Sequence, residues 1–132
     1  MMSTETTSRA LPRTTTFVVP NQSIAAESLA VVEGKRSAST EKVTVKPLIV
    51  GNDMLMLEIF QEKGLKVPRH QHDDHESVIY LVKGKMWLWI DGKEFTASQG
   101  DSWMHPRGVP HYSEALEDCV AIEVKSPPRK TW

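Results

Sequence analysis

The chain has a single cysteine, Cys119, so no disulfide can close within it, and a reducing compartment is the expected setting. Long apolar runs are missing: nothing approaches the roughly 18 residues that a membrane-spanning helix requires. The N-terminus has no apolar stretch of the kind that marks a secretory signal. It is rich in Ser and Thr and carries Arg9 and Arg13, which keeps an organelle transit peptide as a minor alternative to a cytoplasmic location. An excess of charge of one sign is lacking too. Sixteen Lys and Arg against seventeen Asp and Glu leave a net charge of −1, which gives no electrostatic pull toward nucleic acid or a membrane surface. No segment repeats itself, and 132 residues suffice for one domain with one core.

What is present changes character near residue 43. Residues 1–16 are polar and read as a disordered tail. Phe17–Val19 reads as a short strand stopped by Pro20, Ile24–Val32 as a short helix ended by Gly34, and residues 35–42 as a linker. From Val43 onward, short apolar segments are separated by Gly, Asn, Asp and Pro. Val43–Val50 and Met54–Phe60 flank Gly51-Asn52-Asp53 and are expected to pair as a hairpin. Further strands are expected over Leu65–His72, Ser77–Val82, Lys85–Ile90, Lys93–Ala97, Ser102–His105, His111–Ala115 and Cys119–Val124, with Asp91-Gly92 the tightest hairpin signal. So many short strands predict an all-β sandwich or barrel over residues 43–132, preceded by an N-terminal extension of residues 1–42.

Two stretches carry chemistry. One runs from Gly64 through His70, His72, His75 and Glu76 to Gly84; the other runs from Gly100 through Pro106 and Gly108 to His111. Neutral imidazoles with a carboxylate are the ligands that Zn, Fe, Mn, Ni or Cu accept. His70 and His72 are two apart, so on a strand both side chains point to one face.

These stretches resemble the two motifs of the cupin superfamily. The first motif reads G, five residues, H-x-H, three or four residues, E, six residues, G. The second reads G, five residues, P-x-G, two residues, H, three residues, N; here only the closing Asn departs, as Ala115. The resemblance covers roughly Val43 to Val124 and implies a jelly-roll barrel, the double-stranded β-helix. It also implies one divalent transition metal ion (Zn, Fe, Mn or Ni) held by His70, His72, Glu76 and His111.

The fourth ligand position has competing occupants. Counting forward from His72 gives Glu76; counting back six residues from Gly84 gives Ser77. Glu76 is the expected ligand if a bulge before Tyr80 absorbs the extra residue. With Ser77 in that place, three histidines remain and Glu76 is free to act as a base. His75 has the opposite strand parity to His72 and stays outside unless the loop bends. His105 reads as a supporting or surface histidine, and Asp73 and Asp74 as loop carboxylates that can reach ligand imidazoles. Trp87 and Trp89 share one strand face while Met86, Leu88 and Ile90 share the other; Trp103 belongs near the rim as wall or core.

In Ala121-Ile-Glu123-Val-Lys125-Ser-Pro-Pro-Arg129, Glu123 and Lys125 share a strand face. On pattern alone that face is outward and polar. The segment also resembles the small cupins of pectin and alginate breakdown, which linearise 4,5-unsaturated uronates and carry an acid/base Asp at the position of Glu123. Those proteins usually have Gln near Ser77 and an aromatic residue where Lys125 stands. The resemblance implies a metal-assisted isomerase or lyase acting on a small oxygen-rich molecule, with Glu123 or Glu76 moving the proton and Arg69, Lys125 or Trp103 holding the substrate. The alternatives are an Fe, Mn or Ni dioxygenase on a chelating enol, and a barrel that binds a metabolite without turnover. No nucleic-acid or membrane partner is expected. A homodimer is, with Phe17–Val19 adding a strand to a neighbour's sheet.

Overall fold

A computed structural model describes residues 9–132 of the chain. These residues form twelve strands: β1 (Glu27–Ser28), β2 (Val31–Val32), β3 (Lys35–Arg36), β4 (Thr44–Val50), β5 (Leu55–Gln61), β6 (Lys66–His70), β7 (Glu76–Lys83), β8 (Lys85–Ile90), β9 (Lys93–Ser98), β10 (Ser102–His105), β11 (His111–Ala115) and β12 (Cys119–Ser126). One sheet has the order β1-β4-β5-β12-β7-β10 and a second has the order β6-β11-β8-β9, while β2 and β3 make a separate hairpin. Every pairing is antiparallel. The all-β jelly-roll expected from the turn-rich pattern is the fold found, and all nine expected barrel segments overlap their strands within two residues at each end.

Alternation drives the packing. On β7 the residues Ser77, Ile79 and Leu81 are buried while Glu76, Val78 and Tyr80 are exposed. On β12 it is Cys119, Ala121, Glu123 and Lys125 that point inward. A core made of Ile79, Leu81, Met86, Leu88, Ala97, Ala115, Cys119 and Ala121 joins the two sheets. Val45, Leu55 and Leu57 form a second cluster against which Leu11, Leu29 and Trp132 pack, so residues before and after the barrel belong to its interior. Gly84 joins β7 to β8 at φ 102°, and a Cβ there would meet the Asp118 carbonyl at 2.5 Å and Cys119 Sγ at 2.8 Å, a position open only to glycine.

The extension departs from its expected form. Ile24–Val32 is not helical: Glu27–Ser28 pairs with β4, Leu29 N–H donates to the Val43 carbonyl, and Val31–Val32 turns into a hairpin. A nine-residue helix is marginal by itself, and the open edge of β4 offers its backbone a ladder instead. Phe17–Val19 makes no strand among the described residues; Phe17 and Val18 stand 94% and 78% exposed. Of the expected tail, residues 1–8 lie outside the described part. Beyond them, Arg9 pairs with two carboxylates, Ala10 bridges to Arg129, and Thr14 bonds to Val50 through both backbone and side chain. The outer face of the six-stranded sheet carries Met56, Phe60, Val78, Tyr80, Val82 and Met104, all exposed.

Candidate metal centre

Three histidines meet at one end of the barrel. His111 on β11 lies directly across from His70 on β6, which places their rings 4.3 Å apart. His72 lies two residues past the end of β6; its ring is 4.8 Å from that of His70 and 5.0 Å from that of His111. The parity argument therefore holds for only part of the pair, because His72 is on a loop. Its backbone carbonyl accepts from Gly108 N–H, and its ring is held from outside the barrel motifs.

The hydrogen bonds assign the tautomers. His70 Nδ1 lies 2.8 Å from the Pro68 carbonyl, His111 Nδ1 lies 3.0 Å from the Val109 carbonyl, and His72 Nδ1 lies 2.5 Å from Glu33 Oε2. A carbonyl can only accept, so each Nδ1 carries the proton and each Nε2 presents a lone pair. His70 Nε2 and His111 Nε2 then face each other at 3.1 Å with no proton between them. Burial, aided by the neighbouring rings and Lys125, lowers His70 to about 4; burial with the crowding of His105, His70 and His72 lowers His111 to about 2. A proton does not resolve that contact at neutral pH, whereas two nitrogens each about 2.0–2.1 Å from one ion sit near this separation. The donor set suits a divalent transition metal, and His70, His72 and His111, with donor atoms within 4.8 Å of one another, are the residues that could hold it.

Glu76 is not the fourth member. Its side chain is on the exposed face of β7 because Ile79 and Leu81 commit the alternate residues to the core. The irregularity where β7 pairs with β12 falls at Val82, beyond Tyr80, too late to turn Glu76 inward. Ser77 takes the inward place, 1% exposed, with its Oγ 3.5 Å from His105 Nδ1. His105 is not a surface residue: its ring stacks on His111 at 3.6 Å, nearly parallel, and burial lowers it to about 3. That stacking excludes it as a ligand to an ion held by the edge of His111.

All five histidines of the chain belong to this cluster. His75 is fully buried and stacks on His72 at 4.5 Å. Its Nδ1–H donates to Asp74 Oδ1 at 2.8 Å and its Nε2 accepts from Lys125 Nζ at 3.2 Å, so neither nitrogen is free. The grouping of Glu33, His72 and His75 is for that reason a hydrogen-bonded support, with the Arg9 cation on Glu33, and not a second ion site. Burial and the Lys125 charge lower His75 to about 4.

Glu123 and Lys125 are inward, contrary to the outward face read from the pattern. They are 8% and 2% exposed and lie 3.3 Å apart. Burial alone would raise Glu123; Lys125, His105, His72 and a hydrogen bond from Ser77 outweigh it and hold the carboxyl well below the usual carboxylate range. Both residues line a cavity of about 90 Å³ together with the three ligand histidines, His105 and Trp103. The indole Nε1–H of Trp103 is buried without a hydrogen-bond partner among the described residues. Leu29, Val32 and Trp132 close the cavity from the side of the extension and the C-terminus.

Arg69 is elsewhere. It is exposed, its guanidinium lies 4.6 Å over the Trp89 ring, and it borders a separate depression that it shares with Glu33 and His70. Trp87 packs edge-on against Tyr112, so neither Trp87 nor Trp89 lines the cavity. Asp74 supports His75 and also accepts from Arg9, with Arg129 Nε at 3.5 Å. Glu33 and Arg9 were invisible to motif spacing. The available signal was Glu33-Gly34 between two short β-branched and basic pairs, which reads as a hairpin tip once Ile24–Val32 is not taken as a helix.

A family model described as the Cupin domain matches residues 56–125, just over half of the chain. The pectin degradation protein KdgF of Dickeya dadantii (strain 3937) is 29% identical over 79 residues, 59% of this chain and 72% of that protein. Quercetin 2,3-dioxygenase of Bacillus subtilis (strain 168) is 33% identical over 49 residues, which cover 37% of this chain and 14% of that protein. Among solved structures, KdgF from Halomonas sp. is similar with a TM-score of 0.72 at 22% identity, covering 86% of this chain and 94% of that one, a likeness of fold.

The neutral buried histidines make the metal-free protein acid-sensitive. Unfolded imidazoles protonate near about 6.5, while His70 and His75 resist to about 4, His105 to about 3 and His111 to about 2. Between these values the unfolded chain binds more protons, so stability rises with pH through that window and levels off above it. Glu33 and Asp74 stay ionised: burial would raise both, but His72 and Arg9 on Glu33, and Arg9 and His75 on Asp74, hold each at about 2 and add a second loss below the usual carboxylate range. Urea midpoints of metal-free protein should fall steadily from about pH 7.5 to about pH 5. Level midpoints across that range would contradict the burial of these rings in their neutral form.

Proposed function

This chain belongs to the cupin family, and on that premise we propose that it is a metal-dependent enzyme performing proton-transfer chemistry, of isomerase or lyase type, on a small oxygenated metabolite. The observation that carries this reading is Glu123, a buried carboxylate beside Lys125 that shares a cavity with three histidines presenting Nε2 lone pairs. His70, His72 and His111 would hold the ion. Bound there, it would supply an electrophile that polarises a substrate carbonyl, carboxylate or hydroxyl.

Glu123 then takes a proton through a carboxylate oxygen from the carbon beside the polarised group and returns it to a neighbouring atom. The double bond shifts and no oxidant or reductant is consumed. Lys125 keeps the carboxylate charged while the substrate is absent, at 3.3 Å, and is itself held by His75 at 3.2 Å. A substrate oxygen would give the orphaned Trp103 indole N–H its missing partner. Leu29, Val32 and Trp132 exclude water from the step.

The cavity of about 90 Å³ is well below the roughly 300–1,000 Å³ of sites that enclose drug-sized ligands. It favours a substrate of few carbons. An unsaturated uronate, the substrate class suggested by the pectin degradation relative and by the Ser126-Pro-Pro-Arg129 segment, requires the mouth residues to move aside. A second reading, a dioxygenase acting on a chelating enol, is supported by the three-histidine donor set and by the match to quercetin 2,3-dioxygenase. A flavonol is much larger than the closed cavity, so that reading too needs a smaller enol.

We further propose that the protein works in the cytoplasm as a homodimer. A second copy would cover the outer face of the six-stranded sheet, where Met56, Val78 and Met104 are carried by β5, β7 and β10 and flank Val124 of β12 in one row. Exposed apolar faces of this extent mark interaction sites.

Two measurements check these readings. Glu123→Gln should slow turnover of 4,5-unsaturated uronates or short hydroxy- and oxo-acids by about 10²- to 10⁴-fold, with metal content unchanged and rates equal in air and under nitrogen. Turnover that stops without O₂ would put the dioxygenase reading in its place. In sedimentation, the wild type should run as a dimer and Tyr80→Asp as a monomer; a monomeric wild type removes the dimer.

A further inference from the structure

We infer that Glu33, at the tip of the β2–β3 hairpin, is a positioning residue for the metal centre: it fixes the His72 ring from outside the barrel motifs. The inference rests on the reading of His70, His72 and His111 as metal ligands.

Three observations converge on Glu33. The first is backbone conformation. Glu33 has φ 50° and Gly34 has φ 79°, two successive left-handed residues joining Val32 to Lys35. A two-residue hairpin turn of this kind favours Asn, Asp or Gly at its first position, and Glu has no side-chain advantage there. A Cβ added at Gly34 would meet nothing within 4 Å, so that glycine serves its positive φ, while Glu33 holds a positive φ without glycine's freedom.

The second is the reach of the carboxylate. Oε2 accepts from His72 Nδ1 at 2.5 Å, while Arg9 donates to Oε1 at 2.6 Å and to Oε2 at 3.0 Å. Arg9 is itself gripped by Asp74 at 3.0 and 3.2 Å, and Asp74 accepts from His75. The carboxylate is thus clamped from the side away from the cavity and can point only at His72.

The third is what His72 lacks. His70 and His111 sit on paired strands and anchor their Nδ1 atoms on carbonyls two residues away in sequence. His72 is beyond β6, and its Nδ1 partner comes from 39 residues earlier in the chain. Without Glu33 its tautomer is not set, and the ring is left with its stacking on the neighbouring His75. A carboxylate on the far nitrogen holds the proton on Nδ1, leaves Nε2 as the donor atom and makes it more basic, an arrangement whose loss typically weakens metal binding by about 10- to 100-fold. The residue that completes the centre therefore lies in a hairpin outside residues 56–125, the part matched to the family.

The test is titration of metal-free full-length protein with Co²⁺, whose visible absorption reports its ligand field, for wild type, Glu33→Gln, Glu33→Gly and Arg9→Met, alongside thermal unfolding of each without metal. Glu33→Gln keeps an acceptor oxygen and removes the charge; Glu33→Gly removes the acceptor and relieves the backbone. Expected are Co²⁺ dissociation constants about 10-fold higher for Glu33→Gln and about 100-fold higher for Glu33→Gly, with an altered Co²⁺ spectrum in the latter. Arg9→Met should fall between wild type and Glu33→Gly. If Glu33 only staples the N-terminus to the barrel, the variants lower the unfolding midpoint while the folded proteins bind Co²⁺ with wild-type affinity and spectrum, which overturns the inference. A wild type that takes up no Co²⁺ would overturn the metal reading beneath it.

Discussion

His70 Nε2 and His111 Nε2 face each other across 3.1 Å, while each ring keeps its proton on Nδ1 and donates it in a hydrogen bond to a backbone carbonyl. Two lone pairs at that distance repel unless a cation lies between them, and burial removes the proton as a candidate at neutral pH. The barrel is arranged around this demand. Cross-strand pairing of β6 with β11 brings the two rings together, the Gly108 N–H holds the loop carrying His72, and Glu33 turns the third imidazole toward the other two.

Charge burial is the second theme. Glu123, Lys125 and His75 are buried beside an apolar core that includes Ile79, Leu81, Leu88 and Ala121. An isolated charge there would be costly, and even a paired one gains little over apolar packing of the same volume. The ion pair of Glu123 with Lys125 is therefore continued outward through hydrogen bonds: Lys125 to His75, His75 to Asp74, Asp74 to Arg9, and Arg9 to Glu33, which returns to His72. The chain of partners links the base proposed for catalysis to the ligand His72 and ends at residues near the surface, where solvent completes the solvation of Arg9 and Asp74. The apolar clusters on either side keep the fold, while this polar line keeps one arrangement of the site.

The barrel was legible because its signals are local. Turn residues such as Asp91-Gly92 and period-two alternation place strands without knowledge of their partners, and β8, β10 and β11 match their expected spans. His70, His72 and His111 were legible from spacing because a strand pair and a glycine frame hold motif distances constant. The extension was not, since Ile24–Val32 carries helix formers whose preference loses to the free edge of β4. Glu76 failed for a related reason: which of two adjacent residues faces inward depends on Ile79 and Leu81 further along β7, and on a bulge at Val82 that no residue type announces. Glu33, remote in sequence and on a turn, could be joined to the site only by the folded chain.

The account stands on an ion held by three Nε2 atoms, and anomalous diffraction from crystals grown with Mn²⁺, Co²⁺ or Zn²⁺ tests it most directly. The expected result is one strong peak per chain within about 2.0–2.3 Å of the Nε2 atoms of His70, His72 and His111. Glu76 should be remote from it and Glu33 one ring away. No peak at that position, or a peak lying instead among Glu33, His72 and His75, would contradict the account.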